Sequence, residues 1–193
     1  MWLVVGLGNP GDEYAGTRHN AGFMMVERLA RSWGVEPRGR LFKSRSALVR
    51  RGGEEVLLAL PKTFMNRSGT AVRAALAGKE IAPGRLIVVY DDLDIPLGEI
   101  RVRKTGRPGT HKGMISIVGE IRTDEFPRVR IGIGPLPAGR DAADFVLEPF
   151  RRDERPDLER GLEQAAEALE MVLDGGIERA MTRFNHRRAE ARR

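Results

Sequence analysis

The chain has 193 residues, 41% of them hydrophobic and 31% charged, with a formal net charge of +6. That length suits one domain with a sizeable core, the composition is that of an ordinary globular protein, and no apolar run reaches the ~18 residues of a membrane span. Cysteine is absent and the three histidines, His19, His111 and His186, lack the spacing of a helical metal pair; disulfides, thiolate nucleophiles and cysteine-held metals are excluded, no metal site is expected, and the basic balance favours a polyanion such as nucleic acid.

WLVVGL, from Trp2, is a short apolar run ending in glycine and reads as a buried strand. No basic leader or cleavage site precedes it, which points to a cytoplasmic protein. After the turn-rich GNPGDEYAGTRHN, Phe23, Val26, Leu29, Ala30 and Trp33 recur at helical spacing until Gly34 stops the helix. SALVRR and EVLLALP flank Gly52-Gly53 as a hairpin. TFMNRSG leads into the helix TAVRAALAGK, with Asn66 or Ser68 near its N-terminus. RLIVVY is a second buried strand, followed by an acidic turn, DDLDIP; EIRVRK is a strand and TGRPGTHKG a loop. MISIVGEIR reads as helix, RVRIGIG as strand and AADFVLEPF as a short amphipathic helix. Leu158, Leu162, Ala165, Leu169 and Val172 mark a long helix closed by Gly175-Gly176, and the remainder to Arg193 is helical and basic. Strands alternating with helices, interrupted by one hairpin, predict a single α/β domain over residues 1–193, including the helices of 153–193. Its sheet should be mixed, mostly parallel, twisted and flanked by helices.

GLGNPG matches the glycine pattern of a dinucleotide site, but that fold needs a helix to begin inside the motif. Here Pro10 intervenes, the helical pattern starts near Asn20, and no second strand brings an acidic residue. The glycines are better read as allowing a sharp turn and a close backbone approach.

Ligands of open α/β sheets bind at the carboxyl ends of parallel strands. There the sequence places Asn9, with His19 ten residues later, then Asn66, then Asp91. A histidine can take a proton from water near neutral pH, and a carboxylate on its other nitrogen would fix its tautomer. Two carboxamides could bond peptide groups or a developing oxyanion. No nucleophile motif such as G-x-S-x-G is present, so the implied chemistry is direct attack of water on an acyl carbon. Each residue also has a purely structural reading: Asn66 as a helix cap, Asn9 before Pro10 as a turn residue, Asp91 as a strand-end cap, His19 as a surface side chain.

The strings VVGLGNPGDEYAGTRHNAGF, PKTFMNRSGTAV, VVYDDLDIPLGEIRVRK, GTHKGM and RVRIGIG, in this order over residues 1 to about 150, resemble the bacterial-type peptidyl-tRNA hydrolases. The resemblance implies hydrolysis of the ester joining a peptide to the 3′-terminal ribose of tRNA, with preference for N-blocked peptidyl groups, by a usually monomeric enzyme without metal or organic cofactor. It makes His19 the catalytic base and Asp91 its partner, assigns Asn9 and Asn66 to the peptide main chain, and lines the same crevice with Tyr14, Phe64 and Met65. Where the family usually reads G-H-N-G this chain has T-H-K-G, so Lys112, which only donates hydrogen bonds, replaces an asparagine and would contact a phosphate or the peptide's carboxyl end. Arg101 and Arg103 alternate with Val102 and precede Arg107; together they resemble the family's tRNA-gripping patch. Arg130 and Arg140 are weaker candidates, Arg130 also fitting a structural ion pair, and Arg187, Arg188, Arg192 and Arg193 form a basic tail. The alternative readings are a non-catalytic RNA-binding relative of the same fold and a dinucleotide oxidoreductase.

Overall fold

A computed structural model describes residues 1–185; the basic tail at Arg187, Arg188, Arg192 and Arg193 lies outside the described residues. The strands are β1 (Trp2–Gly6), β2 (Gly39–Leu41), β3 (Ser44–Arg51), β4 (Glu54–Pro61), β5 (Leu86–Pro96), β6 (Ile100–Arg103) and β7 (Arg128–Gly134). The helices are α1 (Ala21–Ser32), α2 (Ser68–Gly78), α3 (Lys112–Ile121), α4 (Ala142–Val146), α5 (Arg155–Leu173) and α6 (Ile177–Phe184). The seven strands form one sheet in the order β2-β3-β4-β1-β5-β7-β6. Its centre, β4-β1-β5-β7, is parallel, and β2, β3 and β6 add antiparallel margins.

Every residue of β1 is buried because helices cover both faces of the sheet. Val4, Ile87 and Val129 belong to the core shared with α1 and α5, while their neighbours Leu3, Val5 and Val88 pack with α2 and α3. Strands buried on both faces read as continuous apolar runs, which is why WLVVGL and RLIVVY stood out. Gly52 and Gly53 take positive φ, 56° and 82°, as the tight β3–β4 turn requires.

The glycine hexamer serves close packing. A Cβ on Gly6 would lie 2.4 Å from the Gly22 carbonyl oxygen, and one on Gly22 would lie 2.3 Å from that of Val89. Bare backbones therefore let the start of α1 sit against the ends of β1 and β5, tied by Phe23 N–H to Leu7 O (3.1 Å) and Leu7 N–H to Val89 O (2.9 Å).

One expectation changes, and one strand was not foreseen. DDLDIP is no turn: β5 runs through it to Pro96, pairing Asp91 with Ile131, Asp92 with Gly132 and, after a register shift, Pro96 with Gly134. Gly132 and Gly134 make room, since a Cβ on either would lie 2.1 Å from a carbonyl oxygen of β5. The acidic side chains thus project from a paired strand, not from a flexible connection. The unforeseen strand is β2, whose three exposed residues carry no apolar alternation to announce it. No helix among the described residues is long and apolar enough to cross a membrane.

Candidate active site

The tetrapeptide Thr17–Asn20 shows how local sequence places the imidazole. Thr17 bridges to Pro149. Arg18 is buried, grips both Glu154 oxygens at 2.9 Å and lies over the rings of Phe145 and Phe150. This fixes the short turn carrying His19 against the segment between α4 and α5. Asn20 accepts from Asn9 N–H at 2.8 Å and donates to Asn9 O at 3.0 Å. The loop after β1 and the base are thereby locked together.

His19 and Asp91, far apart in the chain, meet: His19 Nδ1 lies 2.9 Å from each carboxylate oxygen of Asp91. Asp91 is only 3% exposed, so the contact lies in a low-dielectric interior where it orients strongly. A second imidazole that the sequence reading did not single out joins it. His111 Nε2 is 3.0 Å from Asp91 Oδ1, and its ring lies 4.9 Å from that of His19 and 4.8 Å from Tyr90. His111 also caps α3, its Nδ1 accepting from Met114 N–H at 3.2 Å. That bond leaves the proton on Nε2, which donates to Asp91. An ionised carboxylate only accepts, so His19 donates from Nδ1 and keeps a lone pair on Nε2, the form a general base needs.

Burial alone would push the Asp91 carboxyl up. The imidazoles of His111 and His19 outweigh that and hold it well below the usual carboxylate range. The ligand-capable atoms of His19, Asp91 and His111 all lie within 4.8 Å of one another, making them a candidate metal group. The imidazole–carboxylate separations of 2.9 and 3.0 Å are those of hydrogen bonds, shorter than the roughly 3.3 Å between tetrahedral ligands of a zinc ion at ~2.0 Å.

These groups open into a cavity of about 650 Å³ whose wall includes Asn9, His19, Phe64, Met65, Asn66, Asp91, Arg103, Arg107 and Lys112. Asn9 is partly committed: its Oδ1 accepts from Met65 N–H at 2.8 Å, joining the loops after β1 and β4 and leaving its NH₂ for a ligand. Asn66 is exposed in a 3-10 turn. The cap position of α2 is Arg67, without a side-chain hydrogen bond, so neither Asn66 nor Ser68 caps that helix. Ser68 donates instead to Met65 O at 2.9 Å. Phe64 is 56% exposed at the cavity wall.

Two expected residues fall elsewhere. Tyr14 is half-buried in the turn Asp12–Tyr14 and is not part of the cavity wall; its carbonyl accepts from the Thr17 hydroxyl at 2.8 Å. Its contribution is to shape the loop leading to His19. Arg101 is also off the wall, because Glu99 takes its guanidinium at 2.9 Å and Ile100 O accepts from it at 2.7 Å. Arg103 and Arg107, by contrast, are exposed on the wall and form no salt bridge among the described residues.

Arg130 lines the cavity with its charge shared with Asp92 at 2.6 Å, and Arg140 pairs with Glu148. Arg128 was not anticipated. It is 2% exposed, stacks on Phe126 and donates to the carbonyls of Gly106, Asp124 and Phe126. It therefore pins the base of the loop 104–111 that delivers His111. Lys112 opens α3, where a cation opposes the helix dipole, and it too faces the cavity.

A family model described as peptidyl-tRNA hydrolase matches residues 3–192. Peptidyl-tRNA hydrolases of Chloroflexus aggregans and Carboxydothermus hydrogenoformans are each 50% identical to the chain over 186 and 188 residues. These alignments cover 96% of this chain and 99% and 98% of the respective relatives. A crystal structure of peptidyl-tRNA hydrolase from Acinetobacter baumannii superposes with a TM-score of 0.87 at 36% identity, covering 96% of this chain and 94% of that one.

Proposed function

Since the chain belongs to the peptidyl-tRNA hydrolase family, we propose that it hydrolyses the ester between a peptide's C-terminal carboxyl and the 3′-terminal ribose of tRNA, with His19 as general base. The observation that carries this reading is the contact of His19 with buried Asp91 in the same cavity as Asn9 and Asn66. His19 Nε2 takes a proton from water as the water attacks the acyl carbon. The imidazolium so formed is stabilised by Asp91, and it returns the proton to the departing ribose oxygen. Asp91 itself stays ionised throughout. No covalent intermediate is needed, because an ester requires only a positioned water, a base and stabilisation of the developing oxyanion.

The free NH₂ of Asn9 and the carboxamide of Asn66 bond the peptide main chain. A blocked N-terminus supplies a neutral amide to these groups, whereas a free ammonium would enter a cavity that already holds Arg103, Arg107 and Lys112. Lys112 takes an oxygen of a phosphate or of the acyl group. Arg103 and Arg107 grip tRNA phosphates without reading sequence, which suits an enzyme accepting many tRNAs. The product tRNA is returned to translation.

The test is release of the acetylated amino acid from N-acetyl-aminoacyl-tRNA. The wild type should release it, should leave the unacetylated aminoacyl-tRNA largely intact, and should lose on the order of 10²–10⁴-fold in rate with His19→Ala. Binding of the tRNA without release would overturn the catalytic reading in favour of a non-catalytic RNA-binding relative.

A further inference from the structure

β6 is the terminal strand of the sheet, and terminal strands leave a row of unpaired N–H and C=O groups. Here those of Val102 are taken by one side chain. Val102 N–H donates to Asn185 Oδ1 at 2.8 Å, and Asn185 Nδ2 donates to Val102 O at 2.9 Å. The carboxamide imitates a neighbouring strand for one residue. It comes from the end of α6, which packs along β6 and is also tied to the strand's continuation by Lys104–Glu178 at 3.5 Å.

Val102 stands between the two arginines of β6. On the inner side the strand is held by pairing of Arg101 with Arg130 and Arg103 with Arg128 in β7. Arg101 is already bound by Glu99, which leaves Arg103 as the cation this strand offers to the cavity.

We infer that Asn185 is a positioning residue for polyanion binding: by clamping both backbone groups of Val102 it holds the edge of β6 so that Arg103 meets a phosphate. The inference rests on the tRNA reading of the cavity and extends it to a residue outside the cavity wall. Asn185 touches no substrate. Its effect passes through the strand to the guanidinium next along it, so it should alter affinity for phosphates and leave the ester chemistry alone.

The experiment measures the Kd for deacylated tRNA against salt, and hydrolysis of N-acetyl-aminoacyl-adenosine, a substrate without phosphates, for wild type, Asn185→Ala, Arg103→Gln and the double variant. Asn185→Ala should weaken tRNA binding about fivefold, as expected for one or two backbone-type hydrogen bonds. It should flatten the salt dependence by up to about one unit of slope and leave kcat on the small ester unchanged. In the Arg103→Gln background it should have no further effect, because the two residues then act on one interaction. Should the alanine variant melt below the assay temperature, Asn185→Gln, which keeps the carboxamide but displaces it by one methylene, gives the same comparison.

Unchanged tRNA affinity, an effect additive with that of Arg103→Gln, or an equal loss on the small ester would overturn the inference. A wild type that binds tRNA yet hydrolyses neither ester would instead overturn the catalytic reading, and the affinities would still decide the role of Asn185.

Discussion

His111 uses both nitrogens of one ring: Nδ1 closes the first turn of α3 and Nε2 braces the carboxylate that braces His19. The two duties separate by substitution. Asparagine is a good helix cap but too short to replace the donor to Asp91. His111→Asn should therefore keep the melting temperature close to wild type while kcat on N-acetyl-aminoacyl-tRNA falls roughly tenfold at unchanged KM, as when one charge-assisted hydrogen bond is lost. His111→Ala should in addition cost about 1 kcal/mol of stability through the missing cap. Equal kcat in both variants and the wild type would remove His111 from the machinery. The sequence displayed Asn9, Asn66 and Asp91 because each follows an apolar run, and His19 through the T-R-H-N string ten residues after Asn9. His111 also follows a loop; its clue was its place in T-H-K-G, where the lysine beside it drew the comparison with G-H-N-G. The commitment of Asn9 Oδ1 to Met65 N–H was equally hidden, since it depends on how close two loops come.

At the scale of elements, the site is made where β5, β6 and β7 depart from simple patterns. The charged residues of DDLDIP suggested a turn, but the small residues that keep them in a strand lie in another strand, as Gly132 and Gly134 of β7. Such compensation between distant segments is invisible to a window of sequence. β6 is the instructive opposite: the alternation in Arg101-Val102-Arg103 correctly put both arginines on one face, yet it could not say that Glu99 would neutralise the first. The consequence is an asymmetry. Arg103→Gln should raise KM for peptidyl-tRNA several-fold and lower the slope of log KM against log salt by about one unit. Arg101→Gln should change both far less. Steady-state kinetics between low and moderate salt distinguish them, and equal effects would contradict the assignment of Arg103 as the cation that β6 offers to the cavity.

Across the whole molecule, the parallel centre of the sheet and its two helical layers were readable because burial on both faces leaves long apolar runs. β2, without such a run, was not. The loops after β1 and β4 and the inner end of β5 then converge at the carboxyl side of the sheet, as the fold class dictates. That convergence buries an ionised carboxylate, which ties global stability to pH. The folded-state pKa of Asp91 is depressed, so its contribution is fully present above the unfolded value near 3.9 and is lost as pH falls below it. Urea midpoints taken between about pH 5 and pH 3 should fall for the wild type, and fall less steeply for Asp91→Asn, which has no proton to gain there. Parallel slopes would mean that Asp91 is not held ionised by its two imidazoles.

The central claim is that a buried carboxylate keeps the His19 imidazole in the tautomer that can accept a proton. Asp91→Asn tests it most directly, because the amide fits the same space but can donate to Nδ1 and so move the imidazole proton to Nε2. Single-turnover hydrolysis of N-acetyl-aminoacyl-tRNA should slow by on the order of 10³–10⁴-fold with substrate affinity unchanged. A rate within tenfold of the wild type would show that the carboxylate does not set the state of the base, and the mechanism would have to be abandoned.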